Sequence, residues 1–181
     1  KNTRLVATVG HDSAAAVAAI PDFGENKLYI SIGTNVSMGV ERSECLLSRE
    51  GYLKGFKNTG GIDRKKIIYR DFSACWHLNE FIRTRKEQGI TYSFVDLINM
   101  ALEVKNPVPW FDVEVLSFNE AGGDFCRKMN QYFAQTGQRE LTEDGEFVRS
   151  IYESIVLKIR HYAEALKELG IIYGRINIIN G

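Results

Sequence analysis

The chain has 181 residues, of which 44% are apolar, so it can bury a hydrophobic core and we expect a globular protein of one or two domains. Its 23 lysine and arginine residues balance 23 aspartate and glutamate residues. This neutral charge gives no electrostatic reason to expect nucleic acid or an anionic membrane surface as a partner, which leaves small molecules and proteins.

The predicted strands lie mainly in the N-terminal part of the chain. Apolar runs or alternating side chains typical of strands cover residues 5–10, 27–33, 36–41 and 64–70. The second and third of these predict a hairpin, because only Thr34 and Asn35 separate them. A short alanine-rich helix is expected at residues 13–20, ended by Pro21.

The rest of the chain is predicted to be mostly helical. Apolar residues at helical spacing cover residues 71–86, 93–104, 122–136 and 142–169. Ser93 and Asp96 form a capping-box pattern, and Thr142 and Gly170 are the expected cap and stop of the last helix. The sequence predicts no regular structure for residues 107–120, and a final strand at residues 175–179. Alternating strands and helices predict an α/β fold with a mixed sheet.

The cysteines and the chain ends bear on the cellular environment. Cys45, Cys75 and Cys126 are far apart and odd in number, so we expect buried free thiols in a reducing cytoplasm. No apolar run approaches the roughly 20 residues that span a bilayer, and no signal-peptide pattern is present. The chain begins without methionine and ends in a strand pattern that runs into a turn, so we expect a piece of a longer protein.

The stretch VGHDSAAAV, residues 9–17, places polar side chains between a predicted strand and a predicted helix. Open α/β sheets bind ligands at the carboxyl ends of strands, so Asp12 is a candidate ligand-contacting acid. It could equally cap the helix, and the two roles are compatible because the positive helix end favours an ionised carboxylate. His11 alone is more typical of a hydrogen-bonded structural histidine.

Two glycine-containing segments are further candidates. Gly33 lacks a side chain where the first strand of the hairpin turns, and Thr34 offers a hydroxyl and a backbone N–H. Such a turn can approach a phosphate closely, although an ordinary hairpin has the same composition. In GFKNTGG, residues 55–61, Asn58, Gly60 and Gly61 either line a site or only form a loop. The usual phosphate-loop and dinucleotide fingerprints, GxxxxGK[ST] and GxGxxG, are absent.

Several short motifs follow one another along the chain, namely GHDSAAAVAAIP, YISIGTNVSMGVE, NTGG, SACWHLNEFIR, TGQ, GEFVRSIYESIVLKIRHYAEAL and INIING. Their order resembles the C-terminal domain of FGGY-type carbohydrate kinases, and among them rhamnulokinases most. The resemblance covers nearly all of the chain. It implies an actin-like, ribonuclease H-like ATPase fold of two lobes that bind sugar and ATP between them. Residues 1–181 would form most of the C-terminal lobe, without the N-terminal lobe and the extreme C-terminus.

The resemblance also implies roles for individual residues. Asp12 matches the base that takes a proton from the sugar hydroxyl as this hydroxyl attacks the γ-phosphate of ATP. The other matched positions contact the sugar, namely His11, Ser13 and Asn58, or face the ATP, namely Gly33, Thr34 and Gly181. ATP and Mg²⁺ are the implied cofactors, and no residue of the chain is implied as a metal ligand.

The implied reaction is phosphoryl transfer from ATP to a ketose, with L-rhamnulose as the first candidate and L-fuculose or xylulose as alternatives. The chain departs from the family pattern at Asn35, at Arg70 with Asp71, and at Asn180, where an aromatic residue, a lysine-asparagine pair and a glycine are usual. A sugar or nucleotide sensor on the same fold, and a fragment with only a structural role, stay open. The 181 residues alone are expected to turn over weakly or not at all.

Overall fold

The computed structural model describes residue 3, residues 12–21 and residues 26–180. The chain divides into two compact units, Lys1–Asp71 with Glu164–Gly181, and Phe72–Ala163. The helices are α1 (Asp12–Ala18), α2 (Arg49–Leu53), α3 (Cys75–Glu87), α4 (Phe94–Glu103), a 3₁₀ turn (Leu116–Phe118), α5 (Phe125–Gln135) and α6 (Asp144–Glu168). The strands are β1 (Lys27–Ile32), β2 (Asn35–Arg42), β3 (Lys57–Gly60), β4 (Lys66–Ser73) and β5 (Arg175–Asn180).

The first unit is built on a five-stranded mixed sheet with the strand order β3-β4-β2-β1-β5. The predicted hairpin is confirmed, because β1 pairs antiparallel with β2 and brings Ile32 opposite Val36. On its other side β1 pairs parallel with β5, with Lys27 opposite Arg175. At the far edge β3 pairs antiparallel with β4. The predicted mixed sheet is therefore confirmed.

Side-chain alternation along the strands gives this sheet two different faces. On one face Val17 and Ile20 pack against Tyr29 and Ile67 in a small buried cluster. The other face of the hairpin is apolar: Leu28, Ile30, Val36, Met38 and Val40 are at least 96% buried, and Ile32 is partly buried. Burying each such side chain stabilises the fold by about 1.5–3 kcal/mol, so this face fixes the orientation of the hairpin.

Close approach of β2 and β4 depends on Gly39. A Cβ atom at this position would lie 2.2 Å from the carbonyl oxygen of Ile68 and 2.8 Å from the Cβ of Tyr69. Both are contacts that cannot be relieved by a flexible side chain, so any other residue would push the strands apart. Glycine at position 39 thus sets where Tyr69 lies on the sheet.

The second unit is helical and has an aromatic core. Its fully buried rings belong to Phe81, Phe111, Phe118, Phe125 and Phe133. The rings of Phe111 and Phe118 are 4.5 Å apart between centroids. Both come from residues 107–120, for which the sequence predicted no regular structure, so this segment contributes to the core despite having only one 3₁₀ turn.

Side-chain hydrogen bonds to the backbone hold this irregular segment in place. The Ser150 hydroxyl donates to the Pro109 carbonyl oxygen at 2.6 Å, and the Phe111 N–H donates to the Ser154 hydroxyl at 3.0 Å. The Trp76 indole N–H donates to the Phe118 carbonyl oxygen at 3.3 Å. Partners on two helices thus replace the hydrogen bonds that regular structure would supply.

Most predicted helices are confirmed with shifted ends. Ser93 accepts from the Asp96 N–H while the Asp96 carboxylate accepts from the Ser93 N–H, which is the predicted capping box. The predicted start of α3 at residue 71 is wrong, because β4 continues to Ser73. The predicted cap Thr142 is also wrong, since α6 begins at Asp144, whereas Gly170 follows its end with φ +77° as expected.

Two elements other than the 3₁₀ turn were not predicted, and part of the cysteine prediction is wrong. Residues 57–60 form strand β3 rather than a loop, and α2 precedes it with Ser48 as its cap. All three cysteines are free thiols, but only Cys126 is buried, whereas Cys45 and Cys75 are partly exposed. Among the described residues, no helix combines the length and apolar character needed to cross a membrane.

His77 lies fully buried in the aromatic core of the second unit. Its ring stacks on Phe125 at 6.0 Å, and its Nε2 atom lies 3.2 Å from the Val113 carbonyl oxygen. The Nδ1 atom has no hydrogen-bond partner within the described chain, so the neutral ring donates from Nε2. Burial is the main cause that lowers the pKa of His77 to about 4, against a smaller opposing effect of the Val113 hydrogen bond.

We therefore expect the free energy of unfolding to fall as the pH is lowered from about 6.5 to about 4. In this window His77 binds a proton in the unfolded chain but stays neutral in the folded chain, so acid favours unfolding by at most about 1.4 kcal/mol per pH unit. Urea unfolding at a series of pH values measures this slope. His77→Phe should flatten the slope relative to the unaltered chain. An equally steep slope in His77→Phe would contradict the assignment.

Candidate functional site

A polar cleft of about 530 Å³ opens on one face of the sheet in the first unit, beside the turn between β1 and β2. Alternate residues of β1, β2, β3 and β4 point into it, and Val17 of α1 lies at its wall. Five of the lining side chains carry hydroxyl groups: Tyr29, Ser31, Ser37, Thr59 and Tyr69. The cleft is therefore rich in neutral oxygen donors and acceptors.

The strand register brings the inner hydroxyls together. Ser31 lies opposite Ser37 in the β1–β2 pairing, and the Tyr29 hydroxyl is 3.2 Å from the Ser37 hydroxyl. Burial is the main cause that raises the pKa of Tyr29 to about 12. The phenol thus stays protonated and neutral at physiological pH, where it can donate or accept a hydrogen bond.

The turn that borders the cleft is tight and unobstructed. The Gly33 N–H donates to the Asn35 carbonyl oxygen at 3.0 Å, which closes the turn. A Cβ atom at Gly33 would meet only the Asn35 carbonyl oxygen, at an ordinary 3.7 Å, so the described part of the fold does not itself require glycine here. Thr34 at the tip is exposed. A ligand can therefore approach the backbone of this turn closely.

The opposite side of the cleft carries one pair of charges. The Lys57 ammonium lies 2.8 Å from a carboxylate oxygen of Asp71, and 5.9 Å from the ring centroid of Tyr69. Both partners are about half exposed, with 51% and 42% of their side chains accessible. Neither residue is a site residue predicted from the sequence, because the alternation that puts Lys57 and Asp71 on one face becomes visible only once residues 57–60 are known to be a strand.

The structure brings only some of the predicted site residues to this cleft. Gly33 lines it, and Thr34 forms the adjoining turn. Asp12 and Ser13 are the first two residues of α1, whose Val17 lines the cleft, and only their backbone is described. His11 and Gly181 lie outside the described residues.

Asn58 lies on the strand that lines the cleft, but its side chain is engaged elsewhere. Its amide accepts from the Leu46 N–H at 2.8 Å and donates to the Leu46 carbonyl oxygen at 3.0 Å. Its neighbours Lys57 and Thr59 line the cleft instead. The observed contacts of Asn58 thus tie the segment before α2 to the sheet edge.

A second cavity, an apolar groove of about 640 Å³, lies between α4 and α6 in the second unit. Its walls include Ile98, Leu102 and Val156, and its charged groups, Arg149 and Glu153, pair with each other at 2.6 Å. It therefore offers little for a polar substrate, and the cleft of the first unit is the better candidate site. Within the part of the chain that is described, no cluster of three or more His, Cys, Asp or Glu side chains is arranged to hold a metal ion.

Known proteins resemble the chain over nearly its whole length. No protein-family model matches it. It is 30% identical over 171 residues to the rhamnulokinase of Bacteroides thetaiotaomicron, which covers 91% of this chain and 33% of that protein. It is 26% identical over 181 residues to the rhamnulokinase of Enterococcus faecalis, covering 99% of this chain and 35% of that protein. The chain thus spans about a third of the length of these relatives.

Solved structures of two xylulose kinases share its fold. The protein from Rhodospirillum rubrum matches with a TM-score of 0.62 and 15% identity, over 93% of this chain and 32% of its own. The protein from Bifidobacterium adolescentis matches with a TM-score of 0.60 and 17% identity, over 94% of this chain and 32% of its own. At such identities the likeness concerns the fold alone. It confirms the prediction of an actin-like, ribonuclease H-like architecture with a mixed sheet flanked by helices.

The relatives, the fold and the order of the sequence motifs agree with one another. The chain is a rhamnulokinase-like member of the FGGY carbohydrate kinase family, similar to about one third of a complete rhamnulokinase.

Proposed function

We propose that this chain forms the C-terminal lobe of an ATP-dependent carbohydrate kinase that phosphorylates a ketose, with L-rhamnulose as the first candidate. The observation that carries the proposal is the tight, unobstructed turn at Gly33 beside an oxygen-rich cleft. The sequence similarity to rhamnulokinases supports the choice of sugar. A neutral cleft lined by hydroxyl groups is also chemically suited to a polyhydroxylated substrate and to phosphate oxygens.

The turn would contact the phosphates of ATP. The Gly33 N–H already donates to the Asn35 carbonyl oxygen, but the absence of a side chain at Gly33 lets phosphate oxygens come close to the rest of the turn. The exposed Thr34 adds a hydroxyl donor at the tip. Such contacts stabilise charge on the transferring phosphoryl group without any rearrangement of the protein.

Asp12 would act as the general base. The sugar hydroxyl oxygen forms a bond to the γ-phosphorus, the bond from that phosphorus to the β–γ bridging oxygen breaks, ADP leaves, and the hydroxyl proton passes to the Asp12 carboxylate. The transition state of such transfers is loose, so the proton moves late and an ordinary ionised aspartate suffices. The position of Asp12 at the start of α1 also favours the ionised form.

The oxygen-rich cleft fits a Mg²⁺ ion carried by the phosphates, because this cation prefers oxygen ligands and keeps several waters. The phosphates and water would hold the ion beside the hydroxyls of Ser31 and Ser37, which line the cleft. When bound, Mg²⁺ neutralises charge on the β- and γ-phosphates. An N-terminal lobe of the same protein would supply the remaining sugar contacts and exclude water, which otherwise competes for the phosphoryl group.

Replacing Asp12 by asparagine in the natural-length protein should lower sugar-dependent ADP release from MgATP by about 10²- to 10⁴-fold. ATP affinity should be retained, because the base acts only in the transfer step. The measurement is ADP release across a panel that contains L-rhamnulose, L-fuculose and xylulose, beside Glu44→Gln as a control at an exposed acid of the same unit.

Full activity of Asp12→Asn would contradict the role of Asp12 as general base and would favour a role as helix cap alone. ATP binding with no ketose-dependent ADP release from the unaltered protein would favour the alternative, a sugar or nucleotide sensor on the same fold.

Replacing Gly33 by alanine separates a role in binding from a role in folding. The added Cβ has room in the fold, so the free energy of unfolding should change by less than about 0.5 kcal/mol. The KM for ATP should rise about tenfold because the methyl group keeps phosphate oxygens from the turn, whereas the KM for the sugar should stay unchanged. Gly174→Ala, at another glycine of the first unit where an added Cβ would meet nothing within 4 Å, is the matched control. An unchanged KM for ATP in Gly33→Ala would exclude the turn from phosphate binding.

A further inference from the structure

We infer that Lys57 is a phosphate-binding residue of the cleft and that Asp71 is the partner it exchanges for a phosphate oxygen. This inference rests on the proposed function of the same cleft. Neither residue is among the site residues that the sequence motifs indicate, and Asp71 stands where the family pattern has the asparagine of a lysine-asparagine pair.

The position of the pair in the sheet places it across the cleft from the turn. Lys57 begins β3 and lies opposite Tyr69 of β4, so Asp71 is the next residue along β4 that points to the same face. Lys57 and Asp71 line the same cleft as Gly33 and Asn35. An anion bound at the turn would therefore lie in the cleft that Lys57 also lines.

Lys57 is the sole cation among the described residues that line this cleft. The other groups around it are neutral hydroxyls, including the Tyr29 phenol, or the carboxylate of Asp71. Among the described residues that line the cleft, only Lys57 could thus neutralise the negative charge of a bound phosphate. A lysine ammonium serves phosphate as a compact point charge with rotatable donors.

The ion pair is suited to exchange rather than to stabilising the fold. With 51% of Lys57 and 42% of Asp71 exposed, water and salt screen their attraction, and such surface pairs contribute little to stability. A phosphate group offers more negative charge and more acceptor oxygens than a carboxylate, so it can displace Asp71 from the ammonium. Asp71 meanwhile holds the lysine side chain extended over Tyr69, at the cleft.

Another lysine of the same unit provides a comparison. Lys54 donates to Glu168 at 2.7 Å, a distance close to the 2.8 Å of the Lys57–Asp71 pair, but it does not line the cleft. Both lysines carry the same charge in the same kind of surface pair. If substitutions of the two lysines differ in their effect on binding, the difference is therefore due to the position of the lysine and not to the net charge of the chain.

The test is isothermal titration of the full chain with inorganic triphosphate at low ionic strength, which requires neither sugar nor catalysis. Lys57→Met should weaken binding about tenfold, Lys57→Arg should restore most of it, and Lys54→Met should resemble the unaltered chain. Asp71→Asn should tighten binding about threefold, because it frees the lysine and removes a repelling charge. Thermal midpoints should be alike across the set, since the pair is exposed.

Equal affinities of Lys57→Met and Lys54→Met, or no triphosphate binding by the unaltered chain, would overturn the inference. If MgATP gives the same order of affinities among the variants, the site binds the nucleotide. If inorganic phosphate gives this order and MgATP does not, the site binds a phosphorylated product. Failure of the kinase assay together with the expected triphosphate ranking would reject the proposed reaction while retaining the role of Lys57.

Discussion

The antiparallel pairing of β1 with β2 determines which side chains face the cleft. Tyr29 lies opposite Gly39 and Ser31 opposite Ser37, so hydroxyl groups and the smallest residue share one face. The residues between them are apolar and buried on the other face. Because side chains alternate along a strand, a slip of one residue would exchange the two faces, burying hydroxyls and exposing the core. The loss of apolar burial opposes such a slip, and the cleft is thus positioned by the core behind it.

Two local constraints extend this arrangement to the sheet edge. Gly39 lets β4 approach β2, which fixes Tyr69 and, two residues further on, Asp71. Asn58 ties the backbone at Leu46 to β3 through two hydrogen bonds. In combination these contacts hold Lys57 at the cleft, although it lies on an exposed edge strand. Asn58, on the opposite face of β3, therefore helps to hold Lys57 in position.

Local sequence signals predicted the hairpin, the capping box at Ser93 and the long last helix, since each depends on short-range patterns. Strand β3 was not predictable in this way, because KNTG lacks an apolar alternation and is a strand only through its pairing with β4. For the same reason the Lys57–Asp71 pair could not be found from sequence, as it requires the register between two strands. The role of Asp12 rests on family resemblance, and its side chain is not described.

We propose that phosphate groups bind at the turn between β1 and β2. Amide hydrogen exchange of the natural-length protein, with and without a non-hydrolysable MgATP analogue and a ketose, tests it most directly. Phosphate binding at the turn should slow exchange in residues 31–37 and 57–60 and leave exchange unchanged in α4, beside the apolar groove. Slower exchange confined to α4 and α6, with no change at the turn, would contradict it.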